Sequence, residues 1–195
     1  MTTDAYSPQI ILVACITLLA IMLLVVWIVS ERMNLHRTGM LRGRFGPEYD
    51  VALEEYGARR KAEDALEARL RHVEALTLRP VDEPERRSYL DQWDAIQARF
   101  IDHPRGAVTE ADDLISRVLA ARGYAGGRFD QRVAELSVNH AGLVDPYRRG
   151  NAIVTKVVRN EATTEELRSA MILYRALLEE LLQSKMLTMP RAQAA

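Results

Sequence analysis

The chain has 195 residues, 48% of them hydrophobic and 27% charged, and a formal net charge of −1 at pH 7. That balance belongs to a folded protein rather than a disordered one. A single cysteine excludes an intramolecular disulfide, and the near-neutral charge gives no electrostatic footprint for nucleic acid, which is not expected as a partner.

The first element is the run 9–29, QIILVACITLLAIMLLVVWIV, which carries no charged side chain. At about 1.5 Å per residue, a helix of that length crosses a hydrocarbon core of about 30 Å. A helix in a small soluble domain is rarely apolar on every face, so residues 9–29 are predicted to be a transmembrane helix with the lipid bilayer as its surroundings. A secretory signal would show a basic start, a shorter apolar run and a small-residue cut site. Here MTTDAYSP has no Lys or Arg, and the run closes on bulky Val26, Trp27, Ile28 and Val29, so the segment is expected to remain uncleaved. Leu12-Val13-Ala14-Cys15 resembles a lipobox, but a lipobox closes its apolar stretch, whereas most of this one follows Cys15. With Cys15 in the membrane, no cysteine nucleophile or thiolate zinc site is available to the rest of the chain.

Arg32, Arg37, Arg42 and Arg44 follow the run and no basic residue precedes it. Positive charge beside a span stays on the cytoplasmic side. The expected topology is a single pass through the inner (plasma) membrane, with the N-terminus outside and the C-terminal domain in the cytoplasm. Tyr6 and Trp27 lie near opposite ends of the span, where aromatic rings favour the interface, and the arginines suit anionic headgroups. Residues 30–46 read as a juxtamembrane linker, flexible-looking from Thr38 to Gly46.

Beyond the linker the chain turns mildly acidic: setting aside the four cations and two anions of residues 1–44 leaves 22 cations against 25 anions, a formal −3. Residues 47–78 read as a helical arm that packs partly on the domain, with Tyr49, Leu53 and Tyr56 on one stripe and Leu66, Leu70, Val73 and Leu76 on another. Its stripes are short and interrupted by the polar run 57–61, so coiled-coil pairing is an open alternative. Arg79-Pro80-Val81-Asp82-Glu83-Pro84 breaks the pattern.

Residues 84–183 then read as a helical bundle. Tyr89, Trp93, Ile96 and Phe100 repeat at helical spacing. Asp102-His103-Pro104 stops that helix and opens another, on which Val108, Ala111, Ile115 and Val118 align. Gly123 is a natural helix stop, and 124–127 reads as a turn. Phe129, Val133 and Leu136 mark a short helix; Leu143, Tyr147, Val154 and Val157 mark the next, with Gly150 in its middle. Thr163 and Glu166 have capping-box spacing, opening a helix with Leu167, Met171, Tyr174, Leu178 and Leu181 inward. Residues 184–195 read as a flexible tail. No stretch sustains two-residue alternation, so the fold class expected is all-α: one transmembrane helix, a helical arm and a small helical bundle, with residues 45–195 expected to fold without membrane, metal or disulfide.

Phe45-Gly46-Pro47-Glu48-Tyr49-Asp50, Trp93 with Gln97 and Phe100, Ala107-Val108 with Ala111-Asp112, Arg122-Gly123-Tyr124, Leu136-Ser137-Val138, and Ala162-Thr163-Thr164-Glu165 with Leu167-Arg168 together resemble an uncharacterised bacterial single-pass membrane protein family, often labelled hypothetical or secreted. The resemblance spans about residues 45–182. It implies the same architecture and a bacterial origin, and it brings no activity and no catalytic residues.

Direct search for chemistry gives no site residues and no cofactor. His36, His72, His103 and His140 are scattered over separate elements, and no HExxH, CxxC pair, P-loop or GxSxG occurs. Asp102-His103 could act as an orienting acid and a base, but an Asp before a proline-initiated helix is more often a cap. Asp112 and Asp113 are adjacent and cannot face each other on a helix, so a first-turn charge preference accounts for them. His140 beside Asn139 reads as a helix-start or turn feature. The function expected is a membrane-anchored cytoplasmic interaction or scaffold domain, with a protein partner or self-association and no enzymatic activity. An unrecognised enzyme or a small-ligand sensor with a polar pocket between helices is the alternative, and a structural envelope component is a third.

Overall fold

A computed structural model describes residues 8–124 and 127–183, with side chains from residue 16 onward. Tyr6, the 125–126 part of the expected turn and the expected tail 184–195 lie outside the described residues, as does the Cys15 side chain. Among the described residues there are eight α-helices and no strand: α1 (Pro8–Phe45), α2 (Pro47–Tyr56), α3 (Arg59–Ala75), α4 (Glu83–Arg99), α5 (Pro104–Ala121), α6 (Phe129–Asn139), α7 (Ala141–Val158) and α8 (Thr164–Gln183). The chain divides into two compact units, Met1–Gly43 and Arg44–Ala195.

In the first unit, every side chain of α1 from Ile16 to Val29 is exposed. An all-round apolar surface left uncovered by protein is what a lipid-facing helix presents, and α1 is the one described helix long and apolar enough to cross a membrane. Helix extends well past the expected span. The linker expected over residues 30–46 is helical through Phe45, because single glycines at 39 and 43 cost a helix only about 1 kcal/mol each and no proline intervenes. Pro47 ends the run, since it disfavours a helical conformation at the residue before it.

In the second unit, residues 47–75 form two helices rather than one arm. Gly57 takes a left-handed conformation (φ 66°) and its N–H closes onto the Leu53 carbonyl at 3.0 Å. The chain restarts at Ala58 and folds back, so α2 packs on α3, and α3 packs on α6. Tyr49, Ala52, Ala62, Leu66 and Val73 are buried along this hairpin. Three carboxylates are buried with them: Glu48, Glu63 and Glu135. Each is met by donors. Arg148 on α7 grips Glu48 through two hydrogen bonds of 2.6 and 3.0 Å. The Tyr49 hydroxyl donates to Glu63 at 3.0 Å, and Gln131 Nε2 donates to Glu135 at 3.0 Å, with His72 Nε2 at the same distance.

Helix α4 opens on a capping box absent from the sequence reading: Glu85 N–H donates to Asp82 Oδ1 at 2.8 Å and Asp82 N–H returns to Glu85 Oε2 at 3.4 Å. The box at α8 matches its expected spacing, with Thr163 N–H to Glu166 Oε2 at 2.9 Å and Glu166 N–H to Thr163 Oγ1 at 3.3 Å. Hydrogen bonds from Lys156 first, and from Thr163 next, hold the Glu166 carboxyl down at about 2. Such a depressed value stabilises the fold above the ordinary carboxylate range, and the contribution is lost as pH falls from 4.5 towards about 2.

Helix α5 is the hub of the bundle. It packs on α4, α7 and α8, while α7 also packs on α8 and α6. One apolar core runs from Trp93 and Ile96 through Val108, Ile115, Val118 and Leu136 to Tyr147, Leu167, Tyr174 and Leu181. Gly150 does not interrupt α7. It lies against the Tyr174 ring, where an added Cβ would come within 2.8 Å of Tyr174 Cζ, so the missing side chain is what lets α7 and α8 approach.

Candidate functional site

Two features of the bundle gather chemistry. The first is an interior polar cluster. Asp112 lies midway along α5, not in a first turn, and this corrects the charge-preference reading of Asp112-Asp113. Its half-buried carboxylate accepts from the Tyr174 hydroxyl at 2.8 Å and from Asn151, while Asp113 is exposed. Arg132 on α6 donates from Nε to the Tyr147 hydroxyl at 2.9 Å and from Nη1 to the Gly127 carbonyl at 2.6 Å. The Tyr147 ring rests on Phe129 with centroids 4.9 Å apart.

Burial pushes both tyrosines up, so each stays a protonated donor at neutral pH. Burial also raises Asp112, against the lowering effect of the Tyr174 hydrogen bond and of Arg132. The folded state therefore takes up this proton more readily than the unfolded chain, and stability falls as pH rises from 3.8 through the raised value. Asp112→Asn keeps an oxygen for Tyr174 and removes the charge. It is expected to melt at or above the wild-type temperature at neutral pH, with the difference vanishing in acid. Scanning calorimetry against pH checks this; a neutral-pH melting temperature well below wild type would show that the carboxylate charge is a net stabiliser, through Arg132.

The second feature is an open groove. Helices α4 and α8 both lean on α5, and the gap between them is a groove of about 350 Å³ lined by Trp93, Gln97, Phe100, Arg168, Met171, Ile172 and Arg175. Trp93 forms part of its floor, with its Nε1–H donating to Gln97 Oε1 at 3.2 Å. The same oxygen accepts from Arg175 Nη1 at 3.1 Å, so Gln97 ties the two walls together. Ile172 is 66% exposed. A smaller polar groove of about 250 Å³ lies between α4 and α5, lined by Gln92, Ala95, Ile96, Arg99, Glu110, Asp113 and Arg117; Arg99 pairs with Glu110, and Arg117 with Gln92, across it.

The four histidines are not brought together. His36 is exposed on α1, His72 pairs with Glu135, His103 is exposed before α5, and His140 joins α6 to α7. Burial lowers His140, with the Arg122 charge acting in the same direction. Asp102 does not serve as the cap expected of it: His103 occupies the N-cap position of α5, without a side-chain capping hydrogen bond. Among the described residues no group of three or more His, Cys, Asp or Glu side chains could hold a metal ion. Arg44, counted with the juxtamembrane arginines, donates to the Val138 carbonyl at 3.0 Å and to Asn139 Oδ1 at 3.1 Å, closing the end of α6. No family model, curated protein or solved structure matches this chain.

Proposed function

We propose that this chain is a membrane-anchored interaction domain whose docking face is the groove between α4 and α8. The observation that carries the reading is the groove itself, where exposed Ile172 and partly open Phe100 stand over the buried Trp93 and Met171 and two arginines line the rim. Apolar grooves of this kind receive the apolar face of a partner helix. A photo-crosslinking side chain placed at Ile172, in the full chain in its own membrane, is expected to yield discrete protein adducts. The same probe at Arg128, which is exposed and outside the groove, is expected to yield none; equal labelling at both positions would overturn the docking reading.

The anchor in this proposal is α1, and the arginines that follow it support a cytoplasmic side for the helical unit. Alkaline phosphatase fused after Ala195 is expected to be inactive, and an active fusion would reverse the topology. An intact mass matching the uncleaved chain is expected as well, whereas a mature chain starting at Cys15 with added lipid would mean lipoprotein processing. A second reading, small-ligand sensing, draws on the polar groove between α4 and α5, where a ligand would have to displace the Arg99–Glu110 and Arg117–Gln92 pairs.

A further inference from the structure

Resting on the docking reading above, we infer that the occupant of the α4–α8 groove is an amphipathic partner helix with an apolar face and carboxylates two turns apart at its edge. The lining holds two cations, Arg168 and Arg175, and no acidic side chain. Arg175 follows Arg168 by seven positions, so along α8 they stand about 10.5 Å apart, with Met171 and Ile172 between them. A helix lying along α8 would repeat that spacing, setting apolar side chains against Ile172 and Phe100 and an acid near each guanidinium.

The carboxylate partners of both arginines are easily exchanged, while Arg175 Nη1 keeps its hydrogen bond to Gln97 Oε1. Arg168 pairs with Glu165 three residues back, and Arg175 with Glu179 four residues on, every one of these side chains being substantially exposed. Exposed pairs of this kind are weak, and each guanidinium has five N–H donors in all. Other occupants fit the charge less well. The segment 184–195 carries Lys185 and Arg191 and no acid, so it would bring cations to cations. A second copy seated groove to groove would oppose the same arginines across a two-fold axis.

The test uses the full chain in neutral detergent, two designed helical peptides with the same leucine face, and Trp93 fluorescence. One peptide carries two glutamates two turns apart at the edge of that face and the other carries lysines there. A Trp27→Phe background leaves Trp93 as the reporter. The glutamate peptide is expected to bind about tenfold more tightly at low salt, with the advantage shrinking as salt screens it. Arg168→Glu combined with Arg175→Glu is expected to invert the preference while leaving the circular dichroism unchanged. Equal binding of both peptides would overturn the acidic assignment and leave docking in the groove standing. Binding of neither, with Ile172 adducts still forming, would overturn the helical occupant. Displacement of the bound glutamate peptide by vesicles of anionic lipid would overturn the protein partner in favour of a membrane surface. A change in Trp93 emission on deleting residues 184–195 would overturn it in favour of the chain's own tail.

Discussion

Trp93→Ala is expected to lower the unfolding free energy by about 3–5 kcal/mol, the range for deleting a large buried aromatic. Its indole is 3% exposed and belongs to the core that joins α4 to α5. Truncation would leave a hole under the groove and remove the N–H that holds Gln97 in place. His103→Ala removes an exposed side chain that caps nothing, so its expected change is below about 0.5 kcal/mol. Denaturant titration of the full chain in mild detergent, followed by circular dichroism, separates the two. Small and equal losses would mean that α4 is held without the indole; a large loss from His103→Ala alone would reopen a buried role for that imidazole.

Gly123→Ala is the second large effect. Gly123 follows α5 with φ at 91°, and a Cβ there would stand 2.4 Å from the Thr77 carbonyl oxygen and 3.2 Å from its carbon. Both obstacles are backbone, so no side chain can rotate away. The strained conformation alone costs about 1–3 kcal/mol. Moving the 77–79 segment would also strain the hydrogen bond from Arg79 N–H to the Arg122 carbonyl, 2.9 Å long, worth about 1 kcal/mol. A total loss near 3 kcal/mol is expected. Gly106→Ala is the control: that position is helical and nothing lies within 4 Å of the added atom, so alanine should be neutral or stabilising by up to about 1 kcal/mol. Equal losses at the two positions, read by the same titration, would show that the close approach at Thr77 carries no weight.

Helical faces were legible in the sequence because each stripe repeats within its own element. Val108, Ala111, Ile115 and Val118 on α5, and Leu167, Met171, Tyr174, Leu178 and Leu181 on α8, are buried as their spacing predicts. The Thr163–Glu166 box was equally local. Pairings between distant segments were not legible. Tyr174 meets Asp112 across 62 positions, and Arg148 meets Glu48 across 100; periodicity says which face turns inward but not which face it will meet. That is why Asp112 passed as a helix-start charge. The groove was hidden for a related reason. Tyr89, Trp93, Ile96 and Phe100 announce one inward aromatic face, yet Trp93 and Ile96 are buried while Tyr89 and Phe100 stay partly open, because both α4 and α8 lean on α5. The stretch from Thr38 to Gly46, read as flexible, is helical through Phe45, and Gly150 in the middle of α7 permits a close crossing.

The buried acids of the hairpin have a consequence for how it can be seated. Two helices held by smooth apolar faces can slide past each other by a turn and meet new hydrocarbon of equal quality. The α2–α3 hairpin has no such freedom. A shift of one turn would carry Glu48 away from the Arg148 fork and His72 away from Glu135, leaving the buried Glu48 carboxylate without its guanidinium, where an unpaired charge is strongly unfavourable. The joint behaves like a keyed coupling rather than a greased one, engaged in a single register or released altogether.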